Sequence, residues 1–326
     1  MKKIKDEIPT VDRLKLKFHT IMESGLTDFV KTTNARRIAV RASIRFAIIS
    51  VLFILAISVF LFMAQVDINT VFGKIIVMTA LLWATVLLIS GRSWFVGSTL
   101  LAREINMALV PILATAFERS LLYTYNEGAV DAVTELLNES SLLEEEVTNL
   151  RVENVYTVFC GFDMRAHDVV FDKKADSPDS KKTSVSATFI DVNLPNEHAA
   201  ATLLTTTGQS FGLSQQSQVQ HMQNNQSFHS VELVDEHFKA FSTDPAAGSN
   251  FLTKELLQVM SDWKADTKVN IRVMRKGTKL FILVPARKKS TTYTSTSTKP
   301  EAIERYAGVV ARPIWRALMV AEEVRE

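Results

Sequence analysis

The chain has 326 residues, 47% of them hydrophobic and 22% charged, with a formal net charge of +2. A balance this near neutral implies no acidic partner for the chain as a whole, and a single cysteine, Cys160, excludes an intramolecular disulfide. The length leaves ample room for a domain with its own core.

The first 45 residues carry eleven Lys or Arg against five acids, a basic arm. Within it Val11, Leu14, Phe18, Met22, Leu26 and Phe29 recur every three or four residues, which predicts an amphipathic helix. Such a helix either lies on anionic lipid or packs on a soluble domain. From Phe46 to Val66 the chain is uncharged, and 14 of those 21 residues are Phe, Ile, Leu or Val. As a helix the run spans roughly 30 Å, the thickness of a bilayer core. On an insertion scale its strongly apolar residues sum to about −4 to −8 kcal/mol. The run is apolar all round, unlike a core helix, and lies too far from Met1 for a secretory signal. A second uncharged run, Ile75 to Gly91, reaches roughly 25 Å and is diluted by Thr79, Thr85, Ser90 and Gly91. It is read as a second span, with Trp94 at interfacial depth.

The flanks predict orientation. Arg36, Arg37, Arg41 and Arg45 precede the first run, Lys74 alone marks the connecting loop, and Arg92 follows the second. Positive charge stays on the cytoplasmic side, so both ends are expected there. No ionisable residue sits at mid-depth, so the pair reads as an anchor rather than an ion pathway or proton relay. Ala80 and Ala84 form a small-xxx-small pair that would permit helix packing or oligomerisation.

Beyond the spans, Leu100 to Tyr125 predicts a long helix with Pro111 as a kink or restart, and Gly128 to Asn138 a shorter one. Glu144 to Glu146 reads as a solvated face or turn. Strands are expected over Val155–Cys160, Asp168–Phe171, Val185–Val192 and Ala200–Thr206, with a hairpin loop between Asp172 and Lys182. Gln215 to Gln226 reads as a flexible loop or a polar strand. Thr253 to Asp262 predicts a helix capped by Thr253, with Leu256, Leu257 and Met260 inward. Val269–Met274, a turn at Gly277-Thr278 and Leu280–Val284 predict a β-hairpin. Arg287 to Lys299 reads as a linker, and Glu301 to Val324 as an amphipathic helix bent or interrupted near Pro313. The expected fold class is therefore α+β: a transmembrane helical hairpin followed by helices and a mostly antiparallel, β-rich cytoplasmic domain. Its expected parts are a basic arm (1–45), the hairpin (46–91), a helical connector (92–150), the α+β domain (151–289), and a linker with a terminal helix (290–326).

The order of these elements, together with several phrases, resembles an uncharacterised bacterial family of two-span membrane proteins. That family is known only as a numbered domain of unknown function and is sometimes labelled "galanin". The phrases are Arg151-Val-Glu-Asn-Val with Gly161 and Phe162, Ala187-Thr-Phe-Ile-Asp-Val-Asn-Leu-Pro195, and Val231-Glu-Leu-Val-Asp-Glu-His-Phe-Lys-Ala-Phe241. Leu252-Thr-Lys-Glu-Leu256 and Lys279-Leu-Phe-Ile-Leu-Val284 complete them. The chain departs in lacking a glycine near Thr188 and in carrying Ser and Thr after the last strand. The resemblance implies a bacterial inner-membrane protein with an α+β cytoplasmic domain, and it brings no catalytic residues.

Motifs for catalysis are missing: no HExxH, CxxC, Walker loop, GxGxxG or GxSxG occurs. His221, His229 and His237, near Asp235 and Glu236, recur every eight residues, a spacing that enforces no metal geometry, so no metal or cofactor is expected. Asp163, His167 and Asp168 read as solvated hairpin ends. Cys160 reads as a small core residue. Lys181, Lys182, Arg272, Arg275, Lys276 and Arg287 to Lys289 form a basic set without interleaved aromatics, which favours lipid headgroups over nucleic acid. Arg272 in particular reads as the solvated face of a half-buried sheet. The first functional expectation is a membrane-anchored interaction or scaffold protein with a protein partner or homo-oligomer, and no enzyme. The alternatives are a ligand- or lipid-binding, or enzymatic, domain with a site near Cys160 and Gln215–Gln226, or an accessory subunit of a transporter.

Overall fold

A computed structural model of the chain describes residues 11–65, 70–125, 130–145, 147–172, 184–209, 213, 215–225, 227–233, 236–286 and 300–325. The architecture is α+β, with two long apolar helices followed by a mostly antiparallel sheet. The chain divides into two compact units, one built on Glu23–Leu109 and the other on Val110–Thr291 with Glu304–Glu326.

Helix α1 runs unbroken from Val11 to Met63, so the basic arm and the first apolar run share one rod. Helix α2 spans Val71–Phe117, and Pro111 lies inside it without ending it. Both helices are long and apolar enough to cross a membrane. Three contacts set their register. Arg36 Nε meets Glu104 Oε1 at 3.1 Å, Phe53 packs on Trp83 with centroids 4.6 Å apart, and Gly97 faces Val40. A Cβ at Gly97 would lie 3.1 Å from Val40 Cγ2, so glycine lets the two helices approach there. This antiparallel register brings Arg45 level with Arg92. From there to Lys74 the hairpin extends roughly 27 Å, close to a bilayer core. Four hydroxyls inside the apolar runs donate within their own helices: Ser50 to Phe46 O, Ser58 to Ile54 O, Thr79 to Ile75 O and Thr85 to Leu81 O.

The second unit is organised by a seven-stranded antiparallel sheet. Its strands are β1 (Ser120–Tyr125), β2 (Thr148–Phe159), β3 (Asp163–Asp172), β4 (Ser184–Thr206), β5 (His229–Val231), β6 (Phe238–Ser242) and β7 (Arg272–Ala286). The order is β1-β2-β3-β4-β6-β5, with β7 paired along the other edge of β4. Helices α3 (Val130–Glu139) and α4 (Gln215–Asn224) belong to this unit. So do α5 (Pro245–Phe251), α6 (Lys254–Thr267) and, from Glu304 on, α7 (Pro300–Glu323).

Several sequence expectations are corrected here. The helix expected to Tyr125 stops at Phe117, where Glu118 turns the backbone left-handed (φ 55°), and Ser120–Tyr125 becomes a strand paired with β2. Residues 92–150 therefore hold a strand of the sheet as well as helix. The two strands expected over Val185–Thr206 are one, irregular between Asn193 and Thr202 where Pro195 cannot donate to a ladder. The expected hairpin at Gly277 does not form. Gly277 does adopt positive φ (58°), but both halves of β7 pair with the same β4, so the glycine serves a bend opposite the irregular stretch. Gln215–Asn224 is helical rather than loop or strand, anchored by buried Gln218 and Met222. Helix α7 passes through Pro313 uninterrupted. The cap on α6 is as expected, Thr253 Oγ1 accepting from Leu256 N at 3.1 Å.

Alternation along the strands separates two faces. One face carries Val169, Phe171, Ala187, Phe189, Phe281 and Leu283, which merge with Val133 and Leu137 of α3 and Met222 of α4 into a filled apolar core. The other face carries Tyr156, Ala166, Asp168, Thr188 and Val284 and looks toward α7 and the end of α6. The expected loop between Asp172 and Lys182 and the linker Arg287–Lys299 lie outside the described residues. So do the side chains of the predicted stripe Val11–Phe29.

Candidate functional site

On the second face a cavity of about 220 Å³ opens between the sheet, the C-terminal end of α6 and the middle of α7. Most of its wall is hydrocarbon: Ala166, Val269, Val284, Pro285, Val310 and Ile314 among others. Its polar end is built by register. Antiparallel pairing sets Asp168 opposite Asn154 on β2 and Thr188 on β4, all on one face. Asn154 Nδ2 donates to Asp168 Oδ2 at 2.9 Å, and Thr188 Oγ1 donates to Oδ1 at 3.2 Å. Behind them Tyr123 Oη donates to Asn154 Oδ1 at 2.9 Å, which fixes the amide's orientation. Burial pushes the Asp168 carboxyl up to about 6, against the lowering effect of those two donors. Beside it Tyr156 is 2% exposed, and its phenol has no hydrogen-bond partner among the described residues. Burial raises that phenol well above its ordinary value.

Asp168 and His167 are thus not solvated hairpin ends. They lie mid-strand and point to opposite faces. His167 Nε2 meets Asp191 Oδ1 at 2.7 Å, enclosed in the sheet and stacked on Phe189. Asp163 alone of that trio sits at a strand end and is exposed. No nucleophile–base pair is brought to the cavity among the described residues. Cys160 lies at the β2–β3 turn, buried, its thiol donating weakly to Phe162 O at 3.7 Å and pushed up to about 12 by burial. The cavity does not lie at the site expected near Cys160 and Gln215–Gln226: α4 covers the filled core, and the cavity opens on the opposite face.

The basic set disperses. Arg272 is fully buried: Nη1 donates to Leu142 O at 2.6 Å and Gln218 Oε1 at 2.7 Å, and Nη2 pairs with Glu144 Oε1 at 3.0 Å. Its expected solvated position is overturned, and with it the expectation that Glu144 lies on a solvated face. Two separate segments, 142–144 and α4, are tied to β7 by this one side chain. Arg275 is buried too and bonds Asn196 O. Lys181, Lys182 and Arg287 to Lys289 lie outside the described residues. His229 and His237 are exposed and His221 half-buried; among the described residues no group of three His, Cys, Asp or Glu is placed to hold a metal.

Of the residues flanking the apolar runs, Arg41, Arg45, Lys74 and Arg92 are exposed. Arg36 pairs with Glu104, and Arg37 is buried with its Nε donating to Thr33 Oγ1 at 2.8 Å. Between the flanks apolar side chains face outward, Leu52 61%, Phe62 86% and Leu88 74% exposed, as a surface meant for lipid would be. No family model, curated protein or solved structure matches this chain.

Proposed function

We propose that this chain is a membrane-anchored binding protein whose α+β unit recognises a small ligand in the cavity beside Asp168. The α1–α2 hairpin is its anchor in the inner membrane of a bacterium, with both ends of the chain and the α+β unit on the cytoplasmic side. The outward apolar band supports the anchor. Orientation rests on Arg41, Arg45 and Arg92 at one end against Lys74 at the other, the arginines lying where anionic headgroups would meet them. The observation that carries the binding reading is the half-buried carboxyl facing a mostly apolar cavity, next to a buried phenol that has no hydrogen-bond partner among the described residues. A pocket with few convergent polar groups and a displaced titration is what ligand sites look like. Recognition rather than catalysis is favoured because neither Cys160 nor His167 reaches that cavity.

Thermal-shift measurement of the detergent-solubilised full chain against small cations, anions and neutral molecules tests this reading. Val309 lies on the cavity wall and is 41% exposed, so V309W narrows the cavity at little cost to the fold. At least one class should raise the melting temperature of the parent and not of V309W. If no class gives a shift that V309W removes, the reading fails.

A protein partner or second copy is a further reading, favoured by one feature. Leu122 and Phe159, 53% and 49% exposed, neighbour each other on β1 and β2 at an edge of the sheet. Crosslinking in native membranes should then give a product that L122K diminishes; a product indifferent to L122K, or none, removes it.

A further inference from the structure

Two groups in the cavity are arranged as core packing alone would not require. Each oxygen of Asp168 accepts one hydrogen bond, from Asn154 or Thr188, whereas an ionised carboxylate has room for about four. Tyr156 opposes Ala166, which makes it a diagonal neighbour of Asp168 on the same face, and its oxygen is buried with no hydrogen-bond partner among the described residues. The polar end of the cavity is therefore rich in acceptors and anionic, and the remainder is largely aliphatic, including Pro285, which has no N–H to offer. The other charges nearby do not cancel this. Asp266 is engaged by Arg316, Arg312 lines the cavity but is exposed to solvent, Glu153 adds negative charge, and His167 faces the opposite side of the sheet.

The complement of such a surface is an ammonium group on a short hydrocarbon. Its donors match the open acceptor positions on Asp168, and the Tyr156 ring beside it adds attraction for a cation. A carboxylate ligand would face the charge of Asp168, and an alcohol brings a single donor. We propose that the cavity binds a small organic ammonium, its nitrogen held by Asp168 beside the Tyr156 ring and its hydrocarbon lying against Val284, Val310 and Ile314. The cavity of about 220 Å³ would hold about seven waters, which restricts the ligand to a short chain or small ring. This inference rests on the small-ligand reading above and specifies its chemistry. The ammonium could belong to a free amine or to the ethanolamine headgroup of a lipid.

The full chain in phosphatidylcholine nanodiscs is titrated with butylammonium, butanol and butyrate, followed by calorimetry and by melting temperature. Butylammonium should bind and raise the melting temperature, with butanol and butyrate at least ~10-fold weaker. D168N should lose at least ~10-fold in butylammonium affinity while melting no lower than the parent. Phosphatidylethanolamine added to the nanodiscs should compete with butylammonium if the headgroup is the source; no competition assigns a free amine. Butanol or butyrate binding in place of butylammonium, or butylammonium binding that D168N leaves unchanged, overturns the ammonium assignment while leaving a ligand site standing. No binding by any of the three, together with no V309W-sensitive ligand of any other class, removes both.

Discussion

Asp168 should cost this fold stability at neutral pH, and replacing it should return part of that cost. Burial raises the carboxyl from 3.8 to about 6, so an unfolded chain ionises it more readily than the native one. The penalty is absent below about pH 4, where both states are protonated, and grows as pH rises through the folded value until it is complete above about pH 6. The difference amounts to about 3 kcal/mol at most. In D168N the amide carbonyl still accepts from Asn154 and its NH2 can donate to the Thr188 hydroxyl, so exchanging bonds to a carboxylate for neutral ones costs about 1–2 kcal/mol. The net expectation is a gain of about 1–2 kcal/mol at about pH 7.5, vanishing toward about pH 4. For a unit of this size each kcal/mol corresponds to about 2–4 °C in melting temperature. Melting is followed by the fluorescence of Trp263 and Trp315, both buried within the α+β unit. A variant less stable than the parent at about pH 7.5, or one whose advantage does not shrink on acidification, would refute the reasoning. A destabilising carboxyl retained in a cavity is the pattern that function leaves in a fold.

Arg272 predicts the opposite sign. R272A strands Glu144 and Gln218 around a buried gap and should cost about 3–5 kcal/mol, enough to threaten folding, with R272M recovering part through packing; a loss under about 1 kcal/mol would show that the cluster is not coupled. Cys160 should be inert. With its thiol pushed up to about 12, maleimide at about pH 7.5 should label it orders of magnitude more slowly in the native chain than in urea, and equal rates would contradict its burial.

The sequence made some of this legible and hid the rest for physical reasons. The two apolar runs announce themselves because insertion depends on local composition, and the Thr253 cap because its partner is three residues away. The continuity of α1 and α2 through their polar ends was not visible, since Pro111 and the basic residues look like boundaries when read alone. Strand existence was read well and strand pairing poorly. Gly277 carries the same chemistry in a bend as in a hairpin, and only the partner, β4, distinguishes them. The candidate site was hidden for the same reason. Asn154 and Thr188 are 14 and 20 residues from Asp168 and meet it only through register. Arg272 looked solvated because its neighbours alternate, but Leu142, Glu144 and Gln218, which make its burial tolerable, come from segments with no strong pattern of their own.

Placing the hairpin loop and the α+β unit on opposite sides of the bilayer is the most direct test of the anchor. In a C160A background, T70C beside the loop and K239C on β6 are exposed positions for a membrane-impermeant maleimide. In right-side-out vesicles T70C should react and K239C should not, and inside-out vesicles should reverse the result. Labelling of both positions from the same side would contradict a two-span anchor, and a reversed pattern would contradict its cytoplasmic orientation.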